Sequence, residues 1–255
     1  MLATAISAYL RRGAGYERLQ VAPFLATFTP GNDHPMRNYA IPDDGATPSR
    51  SEIDGLVDIY RSRGLTPRLE YPTGAAPDLE PALLAYGFVI DGRLPLLTMT
   101  PDQQPQAMAV PGVVVGTAET DEDHADALVV ADLAYGGEGR QPAAGLIEAR
   151  RAMVGSGGAV VLARSADGRP VGSGLYPVPQ EGVTEIAAVG VLPAYRDRGV
   201  ATAVITALAR SALAAGVELV WLTAENDPEA RAARTAGFRL EGDEMLHISL
   251  PFSGS

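Results

Sequence analysis

The sequence contains no cysteine and no lysine, and its only histidines are His34, His124 and His247. Without cysteine there can be no disulfide, no thiolate metal site and no cysteine nucleophile. No two histidines have the spacing of metal ligands, so we predict no metal site. A chain without lysine also cannot contain the Walker loop that binds nucleotide phosphates. All 20 basic residues are arginines.

Long apolar runs are missing as well. No apolar stretch approaches the roughly 18 residues that cross a bilayer, so we expect no membrane partner. The N-terminal segment MLATAISAYLRRG has its charges after the apolar part, the reverse of a secretory signal, and predicts a short helix in a cytoplasmic protein. The net charge of −11 argues against nucleic acid and for a cationic small partner.

The segment PDQQPQAMAVPG at 101–112 is rich in proline and glutamine and lacks periodicity, which is typical of a linker. We therefore predict one domain over residues 1–101, a linker over 102–111 and a second domain over 112–251.

The second domain alternates strand and helix patterns. We predict strands at 113–117, 160–164, 171–178, 183–192 and 218–223, two short strands around Phe238 and over 245–250, and helices at 121–135, 142–154, 200–215 and 228–236. Thr120 and Asp123 form a capping-box-like start for the first of these helices.

An internal repeat links the two halves. Residues 77–101 align without gaps on residues 227–251 at an offset of 150, with a shared helix–Gly–Phe–hairpin pattern. Before the first copy, a helix at 50–63 and a strand at 67–71 roughly match the elements before the second. The first copy has no arginine-rich loop, since NYAIPDDGATPSR stands where one would fall.

The segment PAYRDRGVATAVITALA (193–209) places Arg196, Arg198 and Gly199 where an apolar helix begins. A helix N-terminus has unpaired N–H groups and the positive end of the helix dipole, so it attracts anions. Gly199 lacks the Cβ that would keep a phosphate away from the backbone. The alternative is merely a well-capped helix after a proline turn. No dinucleotide fingerprint is present, because the pairs Gly155–Gly157 and Gly172–Gly174 lack a third glycine.

The string Arg196-x-x-Gly199-x-Ala201 after a strand, with the preceding VLPAYR, the later Asn226 and the pair Gly237-Phe238, resembles the pyrophosphate-loop region of the GNAT superfamily of acyl-CoA N-acyltransferases. The resemblance covers about residues 112–251. It implies an α/β (α+β) fold with a mixed, mostly antiparallel central sheet flanked by helices, preceded by a smaller related N-terminal half. The sheet would splay beside the loop and admit the pantetheine arm.

The resemblance implies acetyl-CoA as cosubstrate and no metal. The amides of residues 197–202 would receive the pyrophosphate, and the backbone of residues 189–191 would pair with the pantetheine amides. The implied cofactor-binding residues are Val189, Gly190, Val191, Arg196, Asp197, Arg198, Gly199, Val200, Ala201, Thr202 and Asn226. Asn226, which precedes Asp-Pro-Glu, is equally typical of a helix N-cap.

The resemblance also implies a general base at Glu185, eleven residues before Arg196. Strand alternation would place Glu185 on one face with Ala187, Val189 and Val191, where apolar neighbours raise the pKa of a carboxylate. The alternative is a carboxylate at a strand edge.

The tyrosine that serves the family as acid is replaced by Ala233, and Tyr176 or Tyr135 could substitute for it. The acceptor pocket is expected from the loop at 134–142, which contains Glu138, together with the strand at 171–178 and the final hairpin. The predicted function is an acetyl-CoA-dependent N-acetyltransferase, monomeric or homodimeric, that acts on an amine of a small molecule or a protein. The alternative is a non-catalytic CoA-binding or regulatory module.

Overall fold

The computed structural model describes residues 2–13, 17–103, 105 and 107–251. The chain forms two compact units. The first contains the residues up to Leu96 and those from Gly242 onward, and the second contains Leu97–Glu241. Both boundaries between the units fall inside strands. The predicted domain limits at 101, 112 and 251 stay a prediction. No helix in the described part of the chain combines the length and hydrophobicity of a membrane span.

The first unit packs helices on a sheet. The elements are α1 (Leu2–Arg12), β1 (Glu17–Val21), β2 (Phe24–Phe28), β3 (Ala40–Pro42), α2 (Arg50–Ser62), β4 (Arg68–Pro72), α3 (Leu79–Tyr86) and the start of β5 (Val89–Met99). β1, β2 and β3 pair antiparallel in turn, and β3 pairs with β4 in parallel. α2 begins at a capping box in which Ser49 and Glu52 each bind the other's backbone amide.

The second unit contains the segment that resembles the acyltransferases. The elements are β6 (Val113–Thr117), α4 (Asp121–Ala134), α5 (Ala144–Gly155), β7 (Ala159–Ser165), β8 (Pro170–Tyr176), β9 (Val183–Glu185), β10 (Ala187–Val191), α6 (Val200–Ala214), β11 (Leu219–Thr223), α7 (Asp227–Thr235) and the start of β12 (Arg239–Ser249). β10, β8, β7 and β6 form an antiparallel sheet in that order. β9 pairs in parallel with β11. The predicted α/β fold with a mostly antiparallel sheet is confirmed.

Glycines let helices approach this sheet closely. A Cβ on Gly172 in β8 would lie 2.9 Å from Val200 Cγ1 of α6, and one on Gly190 in β10 would lie 2.8 Å from Ala134 Cβ of α4. Side chains at these two positions would push both helices outward. The Gly172–Gly174 pair therefore serves close packing.

β12 passes from the second unit into the first. Its residues Met245–Ser249 pair antiparallel with β4, and Leu246 and Ile248 are fully buried in the first unit's core. β5 passes the other way, because Leu97 and Met99 are buried in the second unit's core. The last strand of each half of the chain therefore completes the core of the other unit.

The aligned segments 77–101 and 227–251 have the same structure. α3 and α7 are each followed by a glycine of positive φ, Gly87 at 119° and Gly237 at 106°. The next residues, Phe88 and Phe238, are both 3% exposed. β5 and β12 are both 11 residues long, and their first residues, 89 and 239, stand 150 positions apart. The sequence repeat is therefore a structural repeat.

Two strand predictions are wrong. The predicted strand at 183–192 is two strands, β9 and β10, because the chain changes neighbouring strands near Ile186. The two short strands predicted around Phe238 and over 245–250 are one strand, β12, which runs through Gly242 even though that residue has φ of 75°. The other predicted helices and strands are present with ends within two residues of prediction, and Thr120 and Asp123 form the expected capping box.

Because β12 is buried in the core of the first unit, we can predict the effect of a substitution in it on stability. Leu246→Ala removes a fully buried side chain and leaves a cavity, so it should lower the free energy of unfolding by about 2–5 kcal/mol. Leu240→Ala is the matched control, because Leu240 lies on the same strand and is 51% exposed. Urea unfolding followed by circular dichroism measures both. Equal, small losses would contradict the assignment of β12 to this core.

Candidate active site

The N-terminus of α6 has backbone amides that no partner inside the helix binds. Gly199 is its N-cap with φ of 85°, and the first N–H bond within the helix runs from Ala203 to the Gly199 carbonyl at 3.0 Å. The amides of Val200, Ala201 and Thr202 precede that bond and have no partner inside the helix. No side chain from the described residues caps this end. The helix can therefore accept an anion at these amides.

The structure adds a second reason for the glycine at 199. Its φ of 85° is one that residues with a side chain rarely adopt, and a Cβ there would lie 3.1 Å from Met108 Cε. Gly199 thus suits the turn into α6, and the close approach of a phosphate at its missing Cβ stays a prediction.

Arg196 ties the loop before α6 to its surroundings. Its Nε donates to the Val191 carbonyl at 3.1 Å, and its Nη2 donates to the Ala134 carbonyl at 3.1 Å. These bonds connect the loop to β10 and to the end of α4. The guanidinium therefore holds the loop in place through these two carbonyls. The predicted contact of Arg196 with a cofactor stays a prediction.

The other predicted loop residues are more exposed. Asp197 has φ of 59°, an unusual value for a residue with a side chain. Arg198 stacks over the Tyr195 ring at 5.4 Å from its centroid, and its charge remains at the surface beside the helix N-terminus.

β10 is an edge strand with a break at its start. Ala188 has φ of 52°, and the pairing with β8 shifts register between Ala187 and Gly190. Gly190 pairs with Ser173 of β8, so the backbone groups of Val189 and Val191 point to the other edge.

Two carbonyl groups on that free edge of β10 accept hydrogen bonds from side chains. Tyr135 donates its hydroxyl to the Val189 carbonyl at 3.3 Å, and Arg196 binds the Val191 carbonyl. The edge therefore offers the N–H groups of Val189 and Val191 as donors. This is the strand predicted to pair with the pantetheine amides.

Glu185 ends β9, opposite Trp221 of β11, and is half-buried. The predicted alternation that placed it on one face with Ala187, Val189 and Val191 is wrong. The chain changes sheets at Ile186, so one strand's alternation does not run across that point. Glu185 lies just before the break, and its predicted role as a base stays a prediction.

Asn226 is the N-cap of α7. Its Oδ1 accepts the Glu229 amide at 3.0 Å, and its Nδ2 donates to Glu229 Oε1 at 2.7 Å. The N-cap interpretation is therefore confirmed, while a contact with a cofactor stays a prediction.

The tyrosine candidates differ in placement. Ala233, where the family has its tyrosine, is fully buried in the second core. The Tyr176 ring is 2% exposed, and its hydroxyl pairs with Ser211 at 3.1 Å. Tyr135 is 66% exposed, with its hydroxyl at the free edge of β10.

A cavity of about 620 Å³ lies beside the β10 break. Its apolar lining includes Leu128 and Ala131 of α4, Leu146 of α5, and Ala188, and Tyr135 also borders it. The loop at 134–142 lines it as predicted. The strand at 171–178 and the final hairpin were also expected, but neither contributes to the lining among the described residues.

The charged residues of this cavity come from α4 and the loop after it. Glu138 forms an exposed ion pair with Arg140 at 2.5 Å. Asp132 holds the loop in place, since its side chain accepts the Gly139 amide at 2.7 Å and its carbonyl accepts the Gly137 amide at 2.8 Å. Sequence reasoning missed Asp132. The only signal was an aspartate near the end of a helix followed by a glycine-rich loop.

Comparison with known proteins identifies this half of the chain. Residues 132–238 match the model of the Acetyltransferase (GNAT) family, and these residues hold the α6 N-terminus, β10 and most of the cavity. This part of the chain is thus similar to the GNAT acetyltransferases, and the match supports an acyl-CoA N-acyltransferase. Members of that family use acetyl-CoA as the acetyl donor. No curated protein matches the chain.

Solved structures share the fold over both units. A GCN5-related N-acetyltransferase from Kribbella flavida superposes with a TM-score of 0.81 at 22% identity, over 99% of this chain and 96% of its own. One from Sphaerobacter thermophilus gives 0.63 at 17% identity, over 91% and 82%. A tandem GNAT protein from the clavulanic acid biosynthesis pathway gives 0.60 at 18% identity, over 91% and 79%.

The two bonds of Arg196 predict a specific loss of stability. Arg196→Lys keeps the charge but cannot reach two carbonyls with one planar group, so it should lower the free energy of unfolding by about 1–3 kcal/mol. Arg198→Lys is the control, since its guanidinium stacks on a ring at the surface. Thermal unfolding distinguishes them. A smaller loss for Arg196→Lys than for Arg198→Lys would contradict the anchoring role.

Proposed function

We propose that the chain transfers an acetyl group from acetyl-CoA to the primary amine of a small molecule. The observation that carries the proposal is the order of three features along one segment of the second unit. The segment runs from Ala188 at the cavity, through the free edge of β10 at Val189 and Val191, to the α6 N-terminus at Gly199. A cofactor with a charged end, an amide-bearing arm and a reactive tip fits that order.

The residues present fit coenzyme A. Its pyrophosphate would accept hydrogen bonds from the free amides at the start of α6. The helix dipole and the exposed charge of Arg198 would stabilise the bound pyrophosphate further. Its arm would lie along β10, where the N–H groups of Val189 and Val191 can donate to its carbonyls. Asp197, Gly199 and Asn226 border this path as further proposed contacts.

The matching helix start in the first unit is closed by its own residues. α2 begins at Ser49 and Glu52, which stand 150 residues before Gly199 and Thr202. The Glu52 carboxylate accepts the Ser49 amide at 2.6 Å, so an acidic group already occupies this helix end. We therefore propose one acetyl-CoA for each chain.

The cavity supports a small amine as acceptor. Its volume lies in the range of small-molecule pockets, roughly 300–1,000 Å³, and its lining is mostly apolar with charged groups among it. A protein tail would need an extended groove. Glu185, next to the β10 break, is the proposed base that takes the amine proton directly or through water.

The cofactor site is tested with Ala201→Glu. This change places a carboxylate among the free amides, where it favours the helix dipole but repels pyrophosphate. It should weaken acetyl-CoA binding by roughly tenfold or more without loss of stability. Isothermal calorimetry measures the affinity and should give one site for each wild-type chain.

Ala201→Gln is the matched control, because it has the same size without the charge. Equal affinities for the glutamate and glutamine variants would remove the α6 N-terminus from the site. Binding of two acetyl-CoA molecules to each chain would contradict the proposal that the helix start of α2 in the first unit is closed.

The base is tested with Glu185→Gln, which keeps shape and hydrogen bonding but takes no proton. It should lower kcat/KM by about 10²–10⁴-fold with acetyl-CoA affinity nearly unchanged. Alkaline pH should partly restore the rate, because the amine then arrives neutral. A change confined to the KM of the amine would make Glu185 an anchor for a cation, and no change at all would leave it a strand-edge carboxylate.

A second candidate function is a CoA-binding module without catalysis. The buried Ala233 favours it, since that position cannot supply an acid. Thiol release from acetyl-CoA with a panel of amines separates the two functions.

A further inference from the structure

We infer that the amine acceptor is a primary monoamine with an uncharged hydrocarbon body. The inference rests on the proposed function and deepens it, because it names the chemical class of the molecule that enters the cavity at Ala188. Three observations carry it: the apolar wall of the cavity, the ion pairing of its charged groups, and the size of a recess behind Ala188.

The apolar wall of the cavity comes from two helices and from the break at the start of β10. Leu128 and Ala131 stand three residues apart and so share one face of α4. Leu146 lies in the first turn of α5, and Ala188 lies at the break. These side chains neither donate nor accept hydrogen bonds, so a hydrocarbon that packs against them gains free energy by leaving water. The wall therefore favours a ligand with an apolar body.

Two large side chains at the cavity are exposed to water. Leu146 is 54% exposed, and Tyr135 is 66% exposed although its hydroxyl bonds to the Val189 carbonyl at 3.3 Å. That bond holds the hydroxyl at the edge of β10, and the ring, whose faces are apolar, borders the cavity. Among the large apolar side chains that the structure describes, only Val114 has a greater exposed fraction. Single exposed apolar residues are ordinary on a surface, but two that border one cavity indicate a ligand that covers them.

The charged groups of the described lining offer a site for one cation. Glu138 and Arg140 bind each other at 2.5 Å. Asp132 has no ion pair in the described part of the chain, and its carboxylate accepts the Gly139 amide at 2.7 Å. The same carboxylate lies against Gly137, where any side chain would collide with it. The loop therefore fixes this one carboxylate at the cavity, and a protonated amine can approach it without displacing an arginine.

A second charged or strongly polar group on the acceptor would have no such partner. A second ammonium would compete with Arg140 for Glu138, and a carboxylate would compete with Glu138 for Arg140 and meet the charge of Asp132. The hydroxyls of a sugar would face the apolar wall, and Gln141 is the one uncharged amide side chain of the described lining. Polar groups that leave water without a hydrogen-bond partner cost free energy. The lining therefore disfavours polyamines, amino acids and amino sugars.

A narrow recess behind Ala188 limits where the hydrocarbon body can lie. The recess is lined by Leu128 and Ala188, which it shares with the cavity, and by Gly174 of β8. Its volume of about 10 Å³ is close to the room that a single water needs, so a hydrocarbon body cannot enter it. The body must therefore lie in the larger cavity, where it contacts Leu146 and Tyr135.

The decisive measurement compares ligands that share one chain length and differ at the far end. Isothermal calorimetry in the presence of coenzyme A, which has no acetyl group to transfer, gives the affinities of hexylamine, hexamethylenediamine and aminocaproate. Hexylamine should bind roughly tenfold more tightly than either of the others, or better, because their second charge would have to leave water. From propylamine to hexylamine, each added methylene should tighten binding by about fourfold.

Leu146→Ser tests the apolar wall, and the fold should tolerate it because Leu146 is exposed. It should weaken hexylamine binding by about tenfold and ethylamine binding by no more than about twofold, since a two-carbon body leaves little to contact on α5. Leu240→Ser is the matched control, because Leu240 is 51% exposed and lies on β12 outside the cavity lining, and it should change neither affinity. Equal losses for both amines in Leu146→Ser, or no loss for either, would overturn the inference.

The two proposals fail in different ways. If hexylamine binds more tightly than the doubly charged ligands but acetyl-CoA transfers no acetyl group to it, the proposed function fails and the class of ligand stands. If amines are acetylated but hexamethylenediamine or aminocaproate matches hexylamine in affinity and in kcat/KM, the proposed function stands and the inference about the acceptor is wrong. If no amine binds and none is acetylated, both fail.

Discussion

The hydrogen bonding of the backbone around Ile186 determines the geometry of the candidate site. The Ile186 amide donates to Trp221 of β11 at 2.8 Å, whereas the Leu192 amide donates to Val171 of β8 at 2.9 Å. Between them the chain leaves one set of partners for another, so no strand among the described residues pairs with one edge of β10. Buried or half-buried backbone groups need partners, and here Tyr135 and Arg196 supply them for the carbonyls only. The N–H groups that remain on this edge are the donors on which the proposed contact with the pantetheine arm rests.

The repeat allows the proposed binding site at one helix start to be compared with a matching helix start that is closed. α2 and α6 begin at matching positions, but Ser49 and Glu52 close the first with their own oxygens, whereas Gly199 has no side chain to close the second. The same dipole acts in both helices. The two helices differ in whether a carboxylate of the chain itself binds at the N-terminus, as Glu52 does in α2. The difference between the two helix starts therefore lies in Ser49 and Glu52 on one side and Gly199 on the other.

The sequence predicted most of the fold, because periodicity and capping residues are local signals. Thr120 and Asp123 set the start of α4 in sequence and structure alike. Exchange of partners is not a local signal, so the break near Ile186 and the continuous β12 were missed. For the site, the loop at 196–202 was predicted from its pattern. The bonds of Arg196 to two carbonyls and the role of Asp132 were not, since they depend on residues far apart in the chain or on loop geometry.

Charge is divided between the two ends of the site. The chain has a net charge of −11, which repels an anionic cofactor at long range, but salt screens charges over about 8 Å. Local groups therefore decide, and at the cofactor end these are free amides and Arg198. At the cavity end the charged groups among the described lining residues are Asp132, Glu138 and Arg140. Their net negative charge suits the protonated amine that we propose as the acceptor. One end of the proposed site thus favours an anion and the other a cation, as transfer from an anionic acyl donor to an amine requires.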